Sequence, residues 1–127
     1  GDGRYRRSLY TRIWRSSPFP FYTTFDAPSA SNSCTRRGRS NTALQALTLA
    51  NDPMILELAA GLGGRLSSLE RPFEQAFPLV LSRPGLPSEV ARLREHWESV
   101  ASARDEMAAW TSVGRVLLNL DEFLNRP

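Results

Sequence analysis

From residue 55 onward, large apolar side chains recur at three- and four-residue spacing, and prolines cut that recurrence into short lengths. Ile55, Leu58, Ala59, Leu62 and Leu66 fall at i, i+3, i+4, i+7 and i+11, which is the period of a helix face. Phe73, Ala76, Phe77, Val80 and Leu81 repeat the pattern, then Val90, Leu93, Trp97 and Val100, then Met107, Trp110, Val113, Leu117 and Leu120. No stretch sustains the strict alternation of a half-buried strand. The fold class that follows is all-α. Short connections favour antiparallel neighbours, so the expected architecture is a small antiparallel helical bundle of about four to five helices. Its expected core is Leu58, Leu62, Phe73, Phe77, Val80, Leu93, Trp97, Trp110, Val113 and Leu117.

Boundary signals divide the bundle. Asn41-Thr42 starts a helix that carries Leu44, Leu47 and Leu49. Asp52 is a good N-cap and Pro53 a good first helical residue. Gly61, Gly63 and Gly64 are expected to weaken the end of that helix, at up to about 1 kcal/mol each. Pro78 is expected to kink the next helix or start a fresh turn. Pro87 opens another, with Glu89 placed favourably for the helix dipole. Asp105 caps a last helix over residues 105–122.

The first forty residues differ in kind. A short helix is expected at 8–15, from the spacing of Leu9, Ile13 and Trp14. Residues 16–40 hold Pro18, Pro20 and Pro28 among many Ser, Thr and Asn, and read as an ordered but irregular loop. Leaving Phe19, Phe21, Tyr22 and Phe25 in water costs roughly 1.5–3 kcal/mol per large side chain. The Pro-rich N-terminal loop is therefore expected to pack on the bundle. The chain reads as a single domain, 1–127, with residues 1–40 and 41–127 as its two parts.

Charge follows the same division. Residues 1–50 carry eight arginines against two acids, a net of +6, and residues 51–127 carry eight against eleven, a net of −3. All sixteen basic residues are arginine, whose planar fork suits carboxylates and phosphates; because the absence of lysine is global and not confined to one patch, a GC-rich genome that favours arginine codons is the preferred explanation. No stretch approaches the roughly 20 apolar residues of a membrane span. The opening Gly1-Asp2-Gly3-Arg4 reads as a cut through a longer protein. The lone Cys34 is expected to be a small buried thiol, with a disulfide to another part of a parent protein as the next option.

One polar constellation stands out: Asp26, Arg36, Arg37, Arg39, Asn41, Thr42, Gln45, Asn51 and Asp52. Gln45 lies about one turn after Asn41, so the two can share a face. In one reading the arginines hold an anionic or sugar-like ligand. In the other, Asp26 pairs with Arg36 or Arg39 while Asn41 and Asp52 cap helices. Asp121 and Glu122 are adjacent on a helix and point away from each other, which argues against acid–base partnership. His96 has no clustered partner that would make it a metal ligand, and no metal site is expected. Nucleic-acid binding by the basic, aromatic N-terminus is set aside, because the second half is acidic and the aromatics have a use in packing. Exposed aromatics within 5–25 would instead be an interface left bare by a partner domain.

Three stretches together resemble a known family. They are Arg7-Ser8-Leu9-Tyr10-Thr11; Thr24-Phe25-Asp26-Ala27-Pro28 with Cys34-Thr35-Arg36-Arg37 and Asn41-Thr42-Ala43-Leu44-Gln45-Ala46-Leu47 through Asn51-Asp52-Pro53; and Arg115-Val116-Leu117-Leu118-Asn119-Leu120-Asp121-Glu122-Phe123. They look like the C-terminal region of a planctomycete-type domain of unknown function, catalogued as number 1553, over about residues 6–126. Ala43, Gly38, Ser40 and the segment 29–33 depart from the family's usual pattern. The resemblance implies a large exported protein, periplasmic or extracellular, in which this domain accompanies a sister domain and a cytochrome-c-like domain. It implies no activity. Cys-x-x-Cys-His is absent, so no cofactor is expected in this chain and any haem belongs to an upstream domain.

The expected role is an accessory or interaction module, with the upstream domains of the same parent as partners. The alternative is part of an enzyme active site that is completed by upstream residues and acts on an extracellular polysaccharide or other polymer.

Overall fold

The computed structural model describes residues 10–14, 16–29, 31–36, 38, 40 and 42–124. Among these, seven helices occur in the order α1 (Pro20–Thr24), α2 (Ala43–Asn51), α3 (Pro53–Ser67), α4 (Pro72–Leu81), α5 (Pro87–Ala103), α6 (Glu106–Leu118) and α7 (Asp121–Leu124). No strand is formed among the described residues. The fold is all-α, as the period of the apolar residues implies. The chain divides into two compact units, Gly1–Gln45 and Ala46–Pro127.

The starts of the later helices follow local chemistry. Asp52 accepts from the Met54 N–H at 2.8 Å and Pro53 supplies a first residue that has no N–H to satisfy. Asp105 does the same for α6, accepting from Ala108 N–H at 2.7 Å. Glu89 reaches back to the Leu86 N–H at 2.8 Å, the half of a capping box open to a leucine N-cap.

The centre of the second unit is the contact between α3 and α6. A Cβ added at Gly63 would stand 2.5 Å from the Trp110 carbonyl oxygen and 2.9 Å from the Thr111 nitrogen. A Cβ at Gly114 would collide with the Ala59 carbonyl. Advancing from 59 to 63 on α3 retreats from 114 to 110 on α6, so the two helices run antiparallel with their backbones in direct contact. Glycine at 63 is thus a packing position and not a helix terminator; α3 continues to Ser67.

Helices α4 and α5 complete the core. Leu66, Phe73, Ala76, Phe77, Leu93, Trp110, Val113 and Leu117 are buried together, with Leu62, Val80 and Trp97 half-buried against them. Phe73, Trp97 and Trp110 form a triangle across α4, α5 and α6, with ring centroids 6.1, 5.2 and 5.4 Å apart. Each such pair contributes roughly 0.5–1.5 kcal/mol beyond its buried area. Gly85, in the α4–α5 connection, lies against the Phe77 ring, where a Cβ would approach to 2.5 Å.

Several expectations are corrected. Leu58 is 42% exposed; the buried face of α3 is Ile55, Ala59, Gly63 and Leu66, because the close approach at Gly63 turns that side inward. On α2, Leu44 and Leu47 are exposed while Gln45 and Leu49 are buried. Tyr10 is in a 3₁₀ turn but residues 11–14 are not helical; Trp14 and Ser17 instead form an isolated bridge, closed by Ser17 N–H to Trp14 O at 3.2 Å. The remainder of the helix expected at 8–15 lies outside the described residues. Helix α1 sits inside the stretch expected to be irregular, with Pro20 in its first turn and the Thr23 and Thr24 hydroxyls donating to the Pro20 carbonyl. The last helix stops at Leu118, where Asn119 serves as C-cap, and the chain restarts as α7. Cys34 is exposed, its thiol directed at the Arg36 carbonyl at 3.2 Å, because the polar connection around it offers no apolar cover.

Gly63→Ala and Gly114→Ala are each expected to destabilise the second unit by about 1–3 kcal/mol, the range for forcing extra atoms into a filled interface. Gly61→Ala is expected to stabilise it by about 0.5–1 kcal/mol, since that site is helical and nothing lies within 4 Å of the added atom. Urea unfolding followed by circular dichroism measures all three; equal effects at 61 and 63 would remove the backbone-contact explanation.

Candidate functional site

The polar constellation is built at two places. In the first unit, Gln45 is the organising side chain and is only 7% exposed. It is the third helical residue after Thr42. The Gln45 N–H donates to Thr42 Oγ1 at 3.2 Å and the Thr42 N–H donates to Gln45 Oε1 at 3.0 Å. This is a reciprocal capping box, made by the run Thr42-Ala43-Leu44-Gln45.

The amide nitrogen of Gln45 then reaches across the unit. Nε2 donates to the Thr24 carbonyl at 2.8 Å and to Ser40 Oγ at 2.9 Å. With two hydrogens to give, it spends them on these partners; its 3.4 Å approach to Asp26 Oδ2 is secondary. Ser40 donates both its N–H (2.7 Å) and its Oγ–H (2.6 Å) to that same carboxylate oxygen. A chain of donors therefore runs from Gln45 through the Ser40 hydroxyl to Asp26. Asp26 follows the end of α1 with φ 54°, a left-handed conformation that aspartate tolerates better than most residues. The knot ties the end of α1, the segment before α2 and the first turn of α2.

The other predicted site residues are placed as follows. Arg36 is exposed. Arg37, Arg39 and Asn41 lie outside the described residues. Asn51 and Asp52 belong to the second unit and serve its helix ends: Asn51 donates to the Leu47 carbonyl at 3.0 Å and Asp52 caps α3. The Arg115 guanidinium also donates to the Ala50 carbonyl at 3.0 Å, near the end of α2. Chemically the knot is an anchor: its described carboxylate, amide and hydroxyls are engaged with one another, and no imidazole takes part.

Sequence reasoning missed the strongest electrostatic centre among the described residues. Arg83 binds Glu89 through Nη1 and Nη2, both at 2.8 Å, and Glu122 through Nε at 2.7 Å and Nη2 at 2.7 Å. Its guanidinium carbon also stands 5.6 Å from the Phe77 ring centre. The hydrogen bonds from Arg83, and next that from the Leu86 N–H, hold the Glu89 carboxyl down to about 2. Those from Arg83 hold Glu122 below its ordinary value, and the two carboxylates raise Arg83 in turn. Glu122 is 39 residues from Arg83, so no local spacing announces the pair.

Elsewhere in the second unit, a shallow depression of about 370 Å³ is lined by Glu70, Arg71, Pro72, Phe73, Glu74 and Arg94. Arg94 is already committed, to Glu74 at 3.2 Å and over the Phe73 ring at 4.7 Å. No serine, cysteine or histidine lines it. His96 Nε2 and Ser112 Oγ are 2.8 Å apart between α5 and α6; among the described residues no carboxylate orients the ring, and Ser112 sits mid-helix, so the pair reads as an interhelical bond. No group of three or more His, Cys, Asp or Glu side chains is arranged to hold a metal among the described residues. No described helix is long and apolar enough to cross a membrane.

These features define a small all-α chain whose described polar residues cap and tie helix ends. By sequence the chain belongs to the PSD1 family, proteins of unknown function (DUF1553), which matches residues 1–97. The first two motif stretches lie inside that match, and the third, at 115–123, lies beyond it. No curated protein and no solved structure matches the chain.

Gln45→Ala is expected to cost about 1–3 kcal/mol, the penalty for leaving buried partners unsatisfied, and to make residues 24–45 selectively sensitive to limited proteolysis. Unchanged cleavage would mean that the knot does not hold the unit. For the Arg83 cluster, both carboxylates titrate lower folded than unfolded, so their contribution is complete above the unfolded value of 4.5 and is lost as pH falls toward about 2. Urea midpoints measured between these limits are expected to fall with acid in the native chain and to fall less steeply in Arg83→Gln.

Proposed function

We propose that this chain is a non-catalytic interaction module within a larger exported protein of planctomycete type, serving the domains upstream of it in the same polypeptide. A cytochrome-c-like domain among those neighbours would carry the haem; this chain, with one cysteine, cannot form a Cys-x-x-Cys-His attachment site. The observation that carries the reading is the state of the polar constellation. Its described acids and amides are engaged internally: Asp26 and Gln45 in the first unit, Asn51 and Asp52 at helix ends in the second. Large apolar side chains meanwhile face outward in the first unit, where Tyr10, Ile13, Trp14 and Phe19 are each more than half exposed. Exposed clusters of that kind mark interaction surfaces.

The alternative, a share in an active site for an extracellular polysaccharide, draws on the exposed Arg36 and the arginines around it in sequence. A glycan panel presented to the full-length parent separates the two. The module reading expects no sugar release and a thermal midpoint unmoved by any glycan. Release of sugar that is abolished by Arg36→Ala, or a midpoint raised by several degrees through mass action, would replace it with the polysaccharide reading.

A further inference from the structure

Within the second unit, Arg83 holds two elements at once and holds them unequally. Glu89 lies in the first turn of α5, six positions along the chain from Arg83. It takes three hydrogen bonds, from Arg83 Nη1 and Nη2 and from the Leu86 N–H, each at 2.8 Å. Glu122 belongs to α7, and among the described residues its donors are Arg83 Nε and Nη2, both at 2.7 Å. The Glu122 side chain is 43% exposed, against 30% for Glu89.

Helix α7 depends on that attachment. It is four residues long and none of them is buried. A single turn does not keep its helical form in water, because nucleating a helix costs more than its first hydrogen bonds return. The turn persists by packing against α4 and α6 and by the grip of Arg83 on Glu122. The charged residues of those two helices are engaged elsewhere: Glu74 with Arg94, Glu106 with the Trp110 indole N–H, and Arg115 with the Ala50 carbonyl. Asp121 adjoins Glu122 on α7 and, one residue away on a helix, does not face it. The charges that govern Glu122 are therefore Arg83 and, across the same guanidinium, Glu89.

We propose that α7 is an acid-released strap: protonation of Glu122 detaches it from Arg83, while Glu89 keeps the connection between α4 and α5 closed. The order of release follows from the donors. The Arg83 hydrogen bonds hold Glu122 below its ordinary value, but the like charge of Glu89 opposes them. Glu89 is held down to about 2 by Arg83 and next by the Leu86 N–H, a donor that Glu122 lacks. Both contributions are complete above 4.5 and are lost as pH falls through the folded values, so the more exposed and less bonded carboxylate yields first. The device is independent of the module reading.

Backbone amide relaxation, measured by NMR on the full chain from about pH 7 to about pH 3, tests it. At neutral pH residues 121–124 are expected to be as ordered as α6, with order parameters near about 0.85, and to fall below about 0.6 at the acid end. The first turn of α5 and the helical circular dichroism should not change over that range. Glu122→Gln is expected to free α7 already at neutral pH, with circular dichroism showing the other helices intact. Glu89→Gln, which removes the competing carboxylate, is expected to leave α7 docked and to move its release to lower pH. The strap is overturned if α7 stays ordered until the whole unit unfolds. It is equally overturned if α7 is disordered at neutral pH in the native chain, or if Glu122→Gln leaves both its order and its acid response unchanged.

Discussion

The second unit depends on two missing side chains. At Gly63 and Gly114 the backbones of α3 and α6 meet directly, each glycine seated on a carbonyl of the opposite helix. That contact fixes the antiparallel register, and the register decides which side of α3 faces inward. It sets Trp110 where α4 and α5 can bring Phe73 and Trp97 against it. Ala59 and Ala109, both fully buried, belong to the same logic, in which small residues let the helices close and large ones fill the space beside them.

The first unit is organised by a different kind of force. Its described part buries few large apolar side chains, and its aromatics meet one another near the surface, as Phe21 and Phe25 do at 4.7 Å. What joins its segments is hydrogen bonding from one buried amide and one carboxylate. Such a network is specific because each donor has a designated acceptor, and it is vulnerable for the same reason: a lost partner leaves a buried group unsatisfied. Tyr10, Ile13, Trp14 and Phe19 stay more than half exposed on it.

The sequence was informative wherever periodicity or a cap acts locally. The all-α class, the starts of α3, α5 and α6, and the buried Phe73, Phe77, Leu93, Trp110, Val113 and Leu117 could all be read from spacing. It misled at Leu58, because period alone assigns both flanks of a stripe to the core, whereas the glycine contact selects one. It was incomplete at Gly63, where propensity counts the backbone entropy and cannot see the opposite helix. In the constellation, Asp26 and Gln45 were legible as polar outliers and Asp52 as a cap. Ser40 was not, since a serine among serines carries no signal until the fold places it on a carboxylate. The Arg83 cluster was illegible for the same reason, its partners being joined only by tertiary structure.

The pairing of α3 with α6 also bears on how the chain reaches its fold. Ala59 and Gly114 are some 55 positions apart along the polypeptide, with two whole helices between them. Closing so large a loop costs entropy before any contact repays it, and distant contacts of this kind slow the search. Helices α4 and α5, joined by a short connection, can associate first. During synthesis, α3 emerges before α4 and α5, and its small-residue face stays bare until residue 114 has left the ribosome, so the contact on which the unit depends becomes available late.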